Sequence, residues 1–126
     1  MKNIFLVCPV RLADATLASE ILDYVQELES FGHSVYYPAR DTDQTMREID
    51  ICRANACAIR WCDEVYVWYM KESQGTHFDM GAAFALAKPI KVVKNETLVE
   101  GKCFQRMLIE WEEQGSQMEI KSYVER

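Results

Sequence analysis

The sequence predicts an α/β protein, a parallel sheet of four to five strands with helices on both faces. Two observations carry this. Short apolar, β-forming runs alternate with longer stretches at helical spacing along the whole chain. Strand–helix–strand units of that kind close right-handed and leave their strands parallel. The 126 residues allow a single domain, 1–126, and 49% hydrophobic against 27% charged residues is a globular balance.

The elements follow in order. Residues 3–8 hold the run Ile4-Phe5-Leu6-Val7-Cys8, ended by Pro9. A strand buried on both faces reads as such an unbroken run. Over residues 14–31, Leu17, Ile21, Tyr24, Leu28 and Phe31 step by three or four, an amphipathic helix closed by Gly32. Residues 34–37 form the second strand, stopped by Pro38. Asp41, Thr42 and Asp43 each offer an N-cap to a second helix, whose stripe is Met46, Ile49, Cys52, Ala56 and Ile59. Residues 64–70, with Val65, Tyr66, Val67, Trp68 and Tyr69, are the third strand. Residues 76–87 are apolar nearly all round, which predicts a well-buried third helix. Residues 89–93 make the fourth strand and 103–114 a fourth helix with Phe104, Met107, Leu108 and Trp111 on one face. Residues 118–120 allow one more short strand.

In parallel sheets, ligands bind at the carboxyl ends of the strands. That rule selects three loops, 9–13, 38–45 and 71–76. The third is the richest. Gly75 gives the backbone freedom to turn, and a helix start presents unpaired N–H groups suited to a phosphate or carboxylate. Two readings of Thr76 and Asp79 stand side by side. Thr76 as N-cap with Asp79 three residues on is nearly a capping box, worth ~1 kcal/mol. A carboxylate at a helix start is equally where chemistry is placed. His77 beside them is a candidate ligand contact. Arg11, directly after the first strand, suits an anion clamp, and Arg40 is a second candidate of that kind.

Composition excludes several classes. With 14 Lys+Arg against 20 Asp+Glu the net charge is −6, against a nucleic-acid polymer as partner. No apolar run approaches the ~20 residues of a membrane helix, and no signal-peptide pattern opens the chain. Five scattered cysteines without a C-x-x-C pair fit a reducing compartment, so a cytoplasmic protein is expected, with no metal or cofactor. G-x-S-x-G, G-x-G-x-x-G and G-K-[ST] are absent.

Three segments carry a family resemblance. They are Cys62-Asp63-Glu64-Val65, then Ser73-x-Gly75-x-x-x-Asp79-x-Gly81-x-Ala83-x-Ala85, then Lys88-Pro89-Ile90. Together they resemble the nucleoside 2-deoxyribosyltransferases and their relatives, the nucleoside 5′-monophosphate N-glycosidases. Phe5 to Arg11, with Cys8, looks like the family's first strand and ligand loop. The resemblance implies a flavodoxin-like sheet and cleavage or transfer at the N-glycosidic bond of a nucleoside or nucleotide. It implies that Asp79 stands at the position of a nucleophilic glutamate, and that Ser73, backbone amides from Gly75 to Thr76, and Arg11 hold a 5′-phosphate. It also implies that Asn55 occupies an acidic position of the site, where it can hydrogen-bond but not act as an acid. A non-catalytic nucleotide-binding protein on the same fold is the alternative. The aromatic load of three Trp, six Tyr and five Phe, together with the resemblance, predicts a homodimer or higher oligomer burying the second or third helix.

Overall fold

The computed structural model describes residues 1–115. Its elements are β1 (Asn3–Val7), α1 (Ala15–Ser30), β2 (Ser34–Tyr36), α2 (Pro38–Asp41), α3 (Glu48–Trp61), β3 (Glu64–Trp68), α4 (Gln74–Ala85), β4 (Ile90–Lys94) and α5 (Phe104–Gln114). The four strands form one parallel sheet in the order β2-β1-β3-β4, so β1 and β3 lie inside it. This is the flavodoxin-like order, with the switch in direction at β1/β3. The strand expected at 118–120 lies outside the described residues.

Alternation along β1 divides the core. Phe5 and Val7, with Val65 and Val67, face Ile59 of α3, Met80 and Ala83 of α4, and Leu108 and Trp111 of α5. Ile4 and Leu6, with Val35, Tyr66 and Trp68, face Ile21 and Val25 of α1. Three helices therefore cover one face and α1 the other. Phe5 has no exposed surface and stacks on Tyr36 at 5.6 Å between ring centroids. Phe5→Ala would leave a cavity and cost ~3–5 kcal/mol.

Four local expectations are corrected. First, Phe31 is not part of the buried stripe of α1. The helix ends at Ser30, Gly32 follows at φ +94°, and Phe31 is left 64% exposed. Second, none of Asp41, Thr42 or Asp43 caps the long second helix. Pro38, at the first position of the short α2, starts a turn of helix there, and α3 begins only at Glu48. Asp41 instead accepts from the Tyr37 N–H, Asp43 from Thr45, and Thr42 turns inward. Third, α4 begins at Gln74 with Ser73 as its N-cap, so Thr76 and Asp79 are not a capping box. Fourth, α4 is not buried all round. Its buried stripe is Thr76, Asp79, Met80 and Ala83, one face at helical spacing, while Phe78 is 57% exposed.

Candidate active site

The carboxyl ends of β1 and β3 open into a cleft of about 430 Å³ between the residues after β1, the start of α3 and the start of α4. That volume lies in the usual range for a small-molecule site. Of the residues singled out from sequence, Cys8, Arg11, Asn55, Ser73, Gly75 and Asp79 line it.

Ser73 follows β3 and starts α4. Its Oγ accepts from the Thr76 N–H at 3.2 Å and from the Thr76 hydroxyl at 2.8 Å. Both bonds use the oxygen's lone pairs. The hydroxyl proton has no acceptor among the described residues, although Ser73 is only 6% exposed. A buried donor with an unspent proton on a cleft wall is a ready contact for an anion. Gly75 follows inside the first turn of α4, and a Cβ added there would meet nothing within 4 Å. The freedom to turn expected of Gly75 is thus not needed by the fold. It leaves the helix start uncovered on the cleft side.

Asp79 lies one turn further on, 7% exposed. Burial pushes its carboxyl up to about 7, with the Asn55 amide opposing the shift. Asn55 Nδ2 stands 3.4 Å from Asp79 Oδ2, a long hydrogen bond. Cys8, at the end of β1, is also buried. Burial, and then the nearby Asp79, push its thiol up to about 12, so it stays protonated and is no nucleophile. Arg11 is the one cation of the lining, and it makes no ion pair with any described residue.

Arg40, Thr76 and His77 are not among the residues that line the cleft. Arg40 is engaged with Glu29, with Asp41 and with the Val35 carbonyl, tying α1, β2 and α2 together. The Thr76 side chain is fully buried against Ser73. His77 Nδ1 is 2.7 Å from the Ser73 carbonyl and Nε2 is 3.0 Å from the Tyr69 hydroxyl. A carbonyl only accepts, so Nδ1 carries the ring proton and Nε2 accepts from Tyr69. His77 braces the Ser73 backbone from behind, edge-on to Tyr69 and Phe104.

The cleft also holds Gln44, Glu48, Glu72 and Phe78, which the sequence reading did not single out. Glu72 and Gln44 sat in loops already selected by the strand-end rule. Glu48 and Phe78 lie in the opening turns of helices, and only the fold brings them to one place.

No family model and no curated protein matches the sequence. Solved structures do. The chain is similar to a CMP N-glycosidase of Clostridium botulinum, with 23% identity and a TM-score of 0.65 over 90% of this chain and 81% of that one. It is similar to a 2-deoxyribosyltransferase of Bacillus psychrosaccharolyticus, with 20% identity and a TM-score of 0.63 over 78% and 76%. A 2-deoxyribosyltransferase of Leishmania mexicana follows, with 20% identity and a TM-score of 0.58 over 75% and 65%. At these identities the likeness establishes a shared fold.

Proposed function

We propose that the protein cleaves or transfers at the N-glycosidic bond of a nucleoside or nucleoside 5′-monophosphate, with Asp79 as nucleophile. The observation that carries this reading is the buried Asp79 carboxyl on the cleft wall, nearly two helical turns along α4 from the unspent Ser73 proton. Neighbours of the same fold that act on such bonds support it.

In this reading the ionised Asp79 attacks the anomeric carbon. The C–N bond breaks, the electron pair leaves with the base, and a glycosyl ester of Asp79 forms. Water or a second base then takes the sugar and frees the carboxylate. Asn55 is neutral and gives the leaving base no carboxylic proton. The other carboxyl groups of the lining are Glu48 and Glu72. Ser73, the amide groups that open α4, and Arg11 hold a 5′-phosphate.

The neutral Asn55 favours one second reading, a nucleotide-binding protein without turnover. Free base released from a panel of nucleosides and nucleoside monophosphates, by wild type and Asp79→Asn in parallel, tests both. Release by wild type alone supports the nucleophile, equal release refutes it, and no release by either leaves the binder. We also propose a homodimer or higher oligomer that buries α3 or α4, supported by Ile49, Trp61 and Phe78, each about half-exposed on those helices. A monomer by light scattering at micromolar concentration would overturn that.

A further inference from the structure

Three side chains stand in line behind Asp79. Tyr36 ends β2, Thr42 follows α2, and Asn55 lies midway along α3. The Tyr36 and Thr42 hydroxyl oxygens are 2.6 Å apart. Thr42 donates to Asn55 Oδ1 at 2.7 Å, and Asn55 Nδ2 donates to Asp79 Oδ2 at 3.4 Å. A hydroxyl has one proton, and Thr42 gives it to Asn55. Thr42 then accepts from Tyr36, whose hydroxyl also has the Asp41 carbonyl within reach at 3.3 Å but stands closer to Thr42, at 2.6 Å. With its oxygen occupied, the Asn55 amide has only its nitrogen to offer Asp79.

Burial makes that orientation matter. Thr42, Asn55 and Asp79 are 4%, 8% and 7% exposed. Inside a site that dry, hydrogen bonds are strong and an unmade one is expensive. A flipped Asn55 would set its oxygen against the carboxylate, which is tolerable only when Asp79 carries a proton. A threonine kept for packing alone would be as well served by valine, which has the same shape.

We propose that Thr42 is a positioning residue for Asp79. Its hydroxyl, itself held by Tyr36, sets which end of the Asn55 amide meets the carboxylate, and so favours the ionised form of Asp79 in one orientation. The proposal rests on Asp79 being the reacting group. Around Asp79, the residue directly after β1 contributes the Cys8 thiol and α3 the uncharged Asn55 amide, while the cleft lining adds Arg11, Glu48 and Glu72.

The test is the titration of the Asp79 side-chain carboxyl, followed by ¹³C NMR in wild type, Thr42→Val and Thr42→Ser, alongside base release against pH. Thr42→Val should raise the Asp79 midpoint by roughly half a pH unit or more, the effect of losing one hydrogen bond to the charged form. Thr42→Ser should restore it, and Tyr36→Phe should give a smaller rise. The acidic limb of base release should move with the midpoint, with kcat falling more than KM rises. If valine is not accommodated, Thr42→Ala removes the same hydroxyl and should shift the midpoint the same way. An unmoved midpoint in a folded variant without the hydroxyl overturns the proposal, as does Thr42→Ser titrating like Thr42→Val. Absence of base release from wild type, with the midpoint shifting as stated, overturns the assigned reaction and leaves the positioning intact.

Discussion

Asn55 turns its amide nitrogen toward Asp79, at 3.4 Å, because the Thr42 hydroxyl already occupies its oxygen. The residue standing at an acidic position of the resemblance is thus a neutral donor to the carboxylate. Asp79 is left with one hydrogen bond of support and a large desolvation burden.

Asp79→Asn keeps shape and removes the proposed nucleophile. Base release should fall by at least ~10³-fold, while the affinity for a non-cleaved nucleotide stays within about threefold. Chromatographic detection of free base, with calorimetric titration of the ligand, measures both.

The same substitution should stabilise the protein, and only above acidic pH. The Asp79 carboxyl is held at about 7 in the fold, against 3.8 in an exposed chain. The folded state therefore keeps a proton that the unfolded state has lost, and stability falls as pH rises from about 4 to about 7. The penalty is on the order of a few kcal/mol by pH 8. Thermal melts of wild type and Asp79→Asn should differ most at pH 8 and converge near pH 4. A pH-independent difference would contradict the buried carboxyl.

The rate should follow the same group. An attacking carboxylate must be ionised, so kcat/KM should rise about tenfold per pH unit below its midpoint and level off above about 7. A midpoint near 4 would mean a hydrated, unperturbed carboxyl.

The two arginines should separate cleanly. Arg11→Ala should weaken phosphorylated ligands by ~1.5–3 kcal/mol and leave unphosphorylated ones unchanged, as loss of a charge-assisted bond does. Arg40→Ala breaks the contacts to Glu29 and Asp41 instead. It should lower the melting temperature and leave discrimination between the two ligand classes intact.

Gly75 and Gly81 make a matched pair. Both lie in α4, and at neither would an added Cβ meet anything within 4 Å. Each change to alanine should stabilise the free protein by ~0.5–1 kcal/mol through helix propensity. Gly75 lines the cleft and Gly81 does not. Only Gly75→Ala should therefore also weaken nucleotide binding. Equal affinity in both variants would move the bound anion away from the start of α4.

What the sequence made legible was what local pattern controls. The run Ile4 to Val7 reads as an inner strand because both of its faces are covered, and the buried face of α1 shows in the spacing of Leu17, Ile21 and Leu28. The sequence places the start of α4 at Thr76, and Ser73 holds the cap instead. Both residues carry a hydroxyl that suits an N-cap, and local pattern does not say which one takes the N–H. Residues 38–47 were misread because proline both ends strands and starts helices. Of the cleft lining, Arg11, Ser73 and Asp79 lie in or just after loops that the strand-end rule selects, while Asn55 is marked by the motif resemblance alone. Arg40 was not separable from Arg11 by sequence, since its capture depends on Glu29 lying eleven residues away on a neighbouring helix. Glu48 and Phe78 had no local mark at all.

The Ser73 hydroxyl closes α4 with its lone pairs, which leaves its proton free for an acceptor in the cleft. An incoming anion can take that proton without disturbing the cap, so the helix start is already in the form it has when occupied. Little reorganisation then opposes binding, and little affinity is lost to ordering the loop. Association at this wall should be governed by diffusion and by the field of Arg11, with a rate that drops as salt rises, rather than by any slow closing of the chain.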